Sequence, residues 1–171
     1  MKSGDVVYVD SSDTVIGSGS IQHAVENGII RRVSRILIFN PQGEMLLQQR
    51  SATISYPGLW NNSASGHVDV GETYLEAAVR ELEEEMGIKD TPLSEIGKFY
   101  GDEQDGAFIR KAFNTIYTGM FDGIPVIDEN EVSGAEWMPV PALKKWIDEK
   151  LEEFTPGSVD AFRYYFDSLE Q

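Results

Sequence analysis

The chain contains no cysteine. That removes a disulfide framework, a thiolate nucleophile and any cysteine-held zinc or iron–sulfur centre. Positive charge is also scarce: 14 Lys and Arg stand against 29 Asp and Glu, for a net charge of −15. This balance argues against nonspecific nucleic-acid or anionic-membrane binding, which needs a basic patch. It argues equally against a phosphate site built without a cation, because a cation would have to offset both the protein's carboxylates and the ligand's charge. No apolar run approaches the length of a membrane span, and residues 1–10 have no apolar stretch of the secretory kind. Repeats, linkers and low-complexity blocks are missing, with 7 prolines and 16 glycines scattered along the sequence. A length of 171 residues suffices for one full core. The expectation is a single cytoplasmic domain over 1–171 that binds neither nucleic acid nor membrane.

What the chain does have is concentrated in residues 66–88, GHVDVGETYLEAAVRELEEEMGI. Thr73 followed by Glu76 is a capping box, and Gly71 gives a flexible entry, so a helix should begin there. Leu75, Ala78, Val79, Leu82 and Met86 recur at helical spacing as one narrow apolar stripe. Gly87 is placed to stop the helix as a left-handed residue after its last turn. At about 100° per residue, Glu81, Glu84 and Glu85 fall together on one flank of the stripe and Glu83 on the other. Crowded carboxylates repel by a few tenths of a kcal/mol per pair. Such a run is either a solvated acidic surface, with Lys89 four residues after Glu85 as a partner, or a cation site. Oxygen-only ligands at this density suit Mg²⁺, Mn²⁺ or Ca²⁺ and not zinc.

The spacing Gly66, five residues, Glu72, seven residues, then Arg80-Glu81-Leu82-Glu83-Glu84-Glu85-Met86-Gly87-Ile88 resembles the Nudix box at every defined position. The resemblance implies the Nudix fold, an α/β/α sandwich around a mixed central sheet. It also implies hydrolysis of a nucleoside diphosphate linked to another group. A divalent metal, Mg²⁺ or Mn²⁺, would be held by Glu81, Glu84 and Glu85 and by the Gly66 carbonyl, with Arg80 and Glu72 orienting those carboxylates.

Elsewhere, strands are expected near Val6–Val9 and Val15–Ser18, with a short helix around Ile21–Asn27. Arg31–Asn40 and Glu44–Arg50 read as a hairpin about the turn Asn40-Pro41-Gln42-Gly43. Strands near Ser94–Tyr100 and Ala107–Thr118 join through Asp105-Gly106. A last strand at Ala135–Met138 precedes helices at Val140–Lys150 and Pro156–Leu169.

LLQQRS, YPGLWNNSASGH and the leader VVYVDSSDTVIG look like the branch that holds type I isopentenyl diphosphate isomerases and their hydrolase relatives. The isomerases carry a catalytic Cys before the Gly-His pair, where this chain has Ser65 ahead of Gly66-His67. They also place Glu-x-Glu on the later strand, where this chain reads Phe108-Ile109-Arg110-Lys111-Ala112-Phe113. Of their metal-binding histidines only His67 and His23 have counterparts, and Arg31 stands where another would be. A serine with no adjacent base has too high a pKa to replace a thiol. Hydrolysis is therefore favoured over isomerisation, and over a noncatalytic metabolite-binding domain, which has no need of a complete box.

Further candidates follow from residue type. Glu84 or Glu131, in the segment DENEV, would be the general base, although acids crowd the Glu131 segment as they would a solvated loop. Arg50 would hold a phosphate through its planar fork or pair with a box carboxylate. His67 would approach the metal or phosphates or make a structural hydrogen bond. Trp60 and Tyr56 would stack on the substrate or plug a core edge. Phe162, Tyr165, Phe166 and Leu169 form a stripe for docking against the domain or against a second copy in a homodimer. On this reading Glu84→Gln lowers turnover by about 10³-fold while the fold survives. Steady-state assay beside circular dichroism checks this, and near-normal activity would remove Glu84 from the chemistry.

Overall fold

The computed structural model describes residues 4–171. The strands are β1 (Val6–Val9), β2 (Val15–Gly19), β3 (Ile30–Phe39), β4 (Glu44–Arg50), β5 (Trp60–Asn61), β6 (Ala64–His67), β7 (Ser94–Asp105), β8 (Phe108–Met120) and β9 (Val132–Pro139). They join one nine-stranded mixed sheet. The helices are α1 (Ile21–Asn27), α2 (Tyr74–Met86), α3 (Val140–Glu149) and α4 (Pro156–Ser168), with a 3₁₀ turn at Leu151–Glu153. The architecture is the expected α/β/α sandwich.

Strand β3 organises the sheet. Its residues from Arg31 to Phe39 pair in parallel with Ala112 to Met120 of β8. On its other edge it meets β6 in antiparallel register, Val33 opposite His67 and Ile36 opposite Ala64. Alternation along β3 then assigns the two layers. Ile36 and Ile38 pack with Ala78, Leu82 and Met86 of α2. Leu37 packs on the other face with Leu143 and Ile147 of α3 and Phe162 and Phe166 of α4.

The hairpin expected of β3 and β4 forms only at its tip. Phe39 opposite Met45 is the one register pair between them, closed by the Asn40 N–H donating to the Glu44 carbonyl. Beyond it the strands part, because β6 takes the edge of β3 that faces β4 and β5 takes the edge of β4 that faces β3, while each strand keeps a long partner on its outer edge. β4 pairs with β9 from Glu44 opposite Pro139 to Arg50 opposite Val132. The short strands β5 and β6, which local pattern did not reveal, line the resulting gap: β5 on β4 and β6 on β3.

Helix α2 begins and ends on its own chemistry. The Thr73 hydroxyl accepts from the Glu76 N–H at 3.1 Å, and the Glu76 carboxylate accepts from the Thr73 N–H at 3.0 Å. Gly87 closes the helix at φ 64°, a left-handed conformation costly for any residue with a Cβ. The buried face differs from the expected stripe, because Leu75 and Val79 are 45% and 47% exposed. Ala77, Ala78, Glu81, Leu82, Glu85 and Met86 face inward instead. The helix is rotated so that two glutamates, rather than two more aliphatics, point at the sheet, where polar partners await them.

The aromatic stripe of α4 is used inside the domain. Phe162 and Phe166 are buried in the core, and Tyr165 packs on Phe39 with ring centroids 5.1 Å apart. Leu169 stays exposed. The stripe therefore supplies no argument for a homodimer. Phe162→Ala should cost about 3–5 kcal/mol by leaving a cavity in this packed layer. Urea denaturation at matched m-value checks it.

Candidate active site

The splayed pair β3/β4 is what lets α2 reach through the sheet. The Glu85 Oε1 accepts from the Ser65 N–H on β6 at 3.1 Å and from Gln48 Nε2 on β4 at 3.1 Å. One carboxylate oxygen thus joins the two banks of the gap. Glu81, one turn earlier, is wholly buried. It lies so close to β6 that a Cβ built on Gly66 would fall on the Glu81 carboxyl carbon. Only glycine leaves room there.

Arg80 fixes this array. It forks onto Glu72, with Nε to Oε2 at 2.7 Å and Nη2 to Oε1 at 2.8 Å. The same guanidinium donates to Glu81 Oε1 at 2.8 Å, to Glu84 Oε2 at 3.4 Å and to the His67 carbonyl at 3.0 Å. The Glu72 hydrogen bonds raise the Arg80 pKa above its ordinary value. Arg80 in turn holds Glu72 below the usual carboxylate range against the opposing effect of burial.

The third member of the cluster comes from the loop before β9. That loop is tied to the end of α2 by the Val126 N–H to the Met86 carbonyl at 2.9 Å and the Asp128 N–H to the Glu85 carbonyl at 3.1 Å. It delivers Glu131 beside α2. Glu81, Glu85 and Glu131 each offer an oxygen within 4.8 Å of the others. The residues fit a hard divalent cation on this donor set: oxygen ligands only, two of them buried, and a glycine cradle that keeps the space open.

Glu84 is placed differently from the expectation that grouped it with Glu81 and Glu85. It is exposed, and it is not among the three converging acids. Glu81 and Glu85 stack one turn apart toward β6, whereas Glu84 is rotated about 100° from Glu85 and faces the helix's open side. Lys89 likewise pairs with Glu83, at 3.5 Å, and not with Glu85.

A cavity of about 350 Å³ adjoins the cluster, and Glu85 and Glu131 form part of its wall. Arg31, Arg35, Arg50 and Arg110 also line it. Arg50 donates to the Ser55 carbonyl at 2.6 Å and hydroxyl at 2.9 Å. Burial lowers its pKa, and Glu85 and Glu131 act in the opposite sense. His67 Nε2 is hydrogen-bonded by Arg31 Nη1. Tyr56 lies on the wall beneath Arg110, whose guanidinium carbon is 5.3 Å from the ring centroid. Of the two places open to Trp60, contact with substrate and a core edge, it takes the second: it packs edge-on against Trp146 at 5.4 Å and against the core around α3 and α4. Its large apolar ring is better buried there than beside four cations.

Arg35 escaped the sequence reading. It hydrogen-bonds Asn114 Oδ1 at 2.8 Å and Asn62 Oδ1 at 3.0 Å. The signal was present: an arginine inside strand β3, directly before the apolar run ILIF, needs a polar neighbourhood inside the fold.

The NUDIX domain family matches residues 30–158. The chain belongs to the Nudix family. It is similar to PA4841 of Pseudomonas aeruginosa, an uncharacterized Nudix hydrolase, at 34% identity over 95% of this chain and 94% of that one. It is also similar to the isopentenyl-diphosphate Delta-isomerase of Serratia proteamaculans, at 37% identity over 88% and 84% of the two chains. DR0079 from Deinococcus radiodurans shares the Nudix fold at TM-score 0.78 and 24% identity, over 93% of this chain and 97% of that one. As a Nudix hydrolase, the protein acts on diphosphate bonds. The stretch from Gly66 to Ile88, which resembles the Nudix box, lies within the matched residues and carries the buried pair Glu81 and Glu85. Gly66→Ala should displace Glu81 and weaken Mn²⁺ binding at least about tenfold, as loss of ligand positioning does. Calorimetric titration with the metal measures it, alongside a melting curve to show that the fold persists.

Proposed function

We propose that the chain is a divalent-metal-dependent hydrolase of a nucleoside diphosphate linked to another group. The observation that carries the proposal is the convergence of Glu81, Glu85 and Glu131 at a cavity whose wall is rich in arginine. Glu81 and Glu85, with the Gly66 carbonyl, would hold Mg²⁺ or Mn²⁺. A cation bound there would neutralise the diphosphate oxygens, stabilise charge as it develops and acidify a water in its shell.

The chain's own residues do the rest. Arg80 holds Glu81 in place through its fork on Glu72. Arg50, on the wall near Glu85 and Glu131, binds a diphosphate oxygen. Glu131 accepts the proton from water as its oxygen attacks phosphorus. The bridging P–O bond breaks, and the leaving group departs as a phosphate ester or phosphate. Glu84 lies at the outer side of this array, with its carboxylate on Arg80.

The isomerase likeness supplies a second reading. Moving a double bond requires a proton donor and an acceptor on opposite sides of a short carbon chain. The β8 residues on the cavity wall are Arg110, Ala112 and Asn114, and none is an acid. Ser65 offers a hydroxyl hydrogen-bonded to Asn61 Nδ2 at 3.3 Å, with no basic side chain on it. Hydrolysis is therefore the better reading.

Incubation with Mg²⁺ and a panel of nucleoside-linked and prenyl diphosphates should release a monophosphate product and stop with EDTA. Isomerised product without hydrolysis would sink the reading. Glu131→Gln should lower kcat by about 10²–10⁴-fold, the span of general-base catalysis. The Mg²⁺ concentration for half-maximal rate should stay within about threefold, and a large shift in it would make Glu131 a metal ligand instead.

A further inference from the structure

The arginines of the cavity exceed what one scissile diphosphate at a metal requires. In a chain of net charge −15, four guanidinium groups share a single wall. Arg50, on β4, has Glu85 and Glu131 among its electrostatic neighbours. Arg31 and Arg35 on β3 and Arg110 on β8 stand on the other bank of the gap, where Arg31 feels the positive charges of both Arg110 and Arg35 and the negative charge of Glu103.

The hydrogen bonds of this second group are largely to neutral atoms. Arg35 is held by two asparagine oxygens and Arg31 by His67. Arg110 reaches Asp105 at 3.5 Å, and that carboxylate is 48% exposed. Arg31 is the most telling. It is 4% exposed, it lines the cavity, and its Nε has no hydrogen-bond partner among the described residues. Arg110 Nε is in the same condition. Burial pushes Arg31 and Arg35 down to about 10 each, so both are still charged at neutral pH. Two acids share this part of the wall, Glu103 and the exposed Asp160. With the Asp105 carboxylate that Arg110 reaches, three carboxylates answer three guanidiniums, so what is left over is donor capacity and not net charge: the Nε groups of Arg31 and Arg110. A buried charge with an unused donor is unfavourable unless a ligand supplies the acceptor. Guanidinium groups suit the planar or tetrahedral oxygens of carboxylate and phosphate.

We propose that Arg31, Arg35 and Arg110 form a second anion subsite, which receives a phosphate or carboxylate that the substrate carries beyond its scissile diphosphate. The proposal rests on the hydrolase reading for the position of that diphosphate. The cavity, at about 350 Å³, lies near the small end of ligand pockets, so the group it takes is compact. An apolar prenyl tail in the same space would leave the Arg31 Nε without an acceptor. The substrate class is thus a diphosphate whose attached moiety is itself acidic.

The test separates this subsite from the metal centre. Inorganic phosphate and malonate are titrated calorimetrically into the full chain in EDTA at low ionic strength, for the wild type, Arg31→Met and Arg110→Gln. The wild type should bind one of the two anions saturably, and the tighter one identifies the group. Each variant should weaken that binding at least about tenfold, the worth of a charge-assisted hydrogen bond. If Arg31→Met fails to fold, Arg110→Gln carries the comparison. Absence of saturable binding in EDTA would overturn the subsite, as would undiminished binding in the folded variants or binding seen only with Mg²⁺. Failure of the hydrolase reading would show separately, as absence of Mg²⁺-dependent turnover in the wild type.

Discussion

The site depends on the ionic hydrogen bonds of Arg80. Glu81 is fully buried in a chain with a large negative excess, and a buried carboxylate is tolerated only with a cation and hydrogen bonds beside it. Arg80 provides both, and its fork on Glu72 removes the freedom to swing away. Because the same guanidinium binds the His67 carbonyl, it also locks α2 onto β6. Helix position, carboxylate orientation and strand position are therefore one constraint. Removing the guanidinium would leave the buried Glu81 beside the carboxylates of Glu85 and Glu131.

A second constraint is topological. The gap between β3 and β4 exists because β6 takes the facing edge of β3 and β5 the facing edge of β4, while β8 and β9 hold the outer edges. Through it, a helix packed on one face of the sheet presents Glu85 to a cavity on the other. Gln48 and Ser65 bridge the gap by sharing one Glu85 oxygen. This places a negatively charged cluster against a wall of arginines inside one cavity. A cation on the first and an anion on the second balance each other, which neither array does alone.

Local chemistry in the sequence was enough for α2: the capping box at Thr73 and Glu76 and the left-handed Gly87 are set by residues a few positions apart. The bounds of α1, β1 and β4 likewise follow from short patterns. What failed depended on distant partners. The hairpin register of β3 with β4 was overridden by β5 and β6, two short strands that local pattern does not mark. Leu75 and Val79 look like core by periodicity, yet the polar partners offered by β4 and β6 turn Glu81 and Glu85 inward in their place. The placement of Glu131 beside Glu85 rests on a loop tied by backbone hydrogen bonds, which leave no mark on residue type. Trp60 carried the opposite lesson: a large ring near a motif is explained by Trp146 from a helix far along the chain.

The central claim is that Glu81 and Glu85, with the Gly66 carbonyl, hold the metal of this Nudix protein beside Glu131. Anomalous diffraction from crystals grown with Mn²⁺ addresses it most directly. The account predicts a Mn²⁺ peak within coordination distance of carboxylate oxygens from Glu81 and Glu85, with Glu131 and the Gly66 carbonyl facing it. A peak centred on Glu83 and Glu84 at the outer face of α2, or no peak at saturating Mn²⁺, would contradict it.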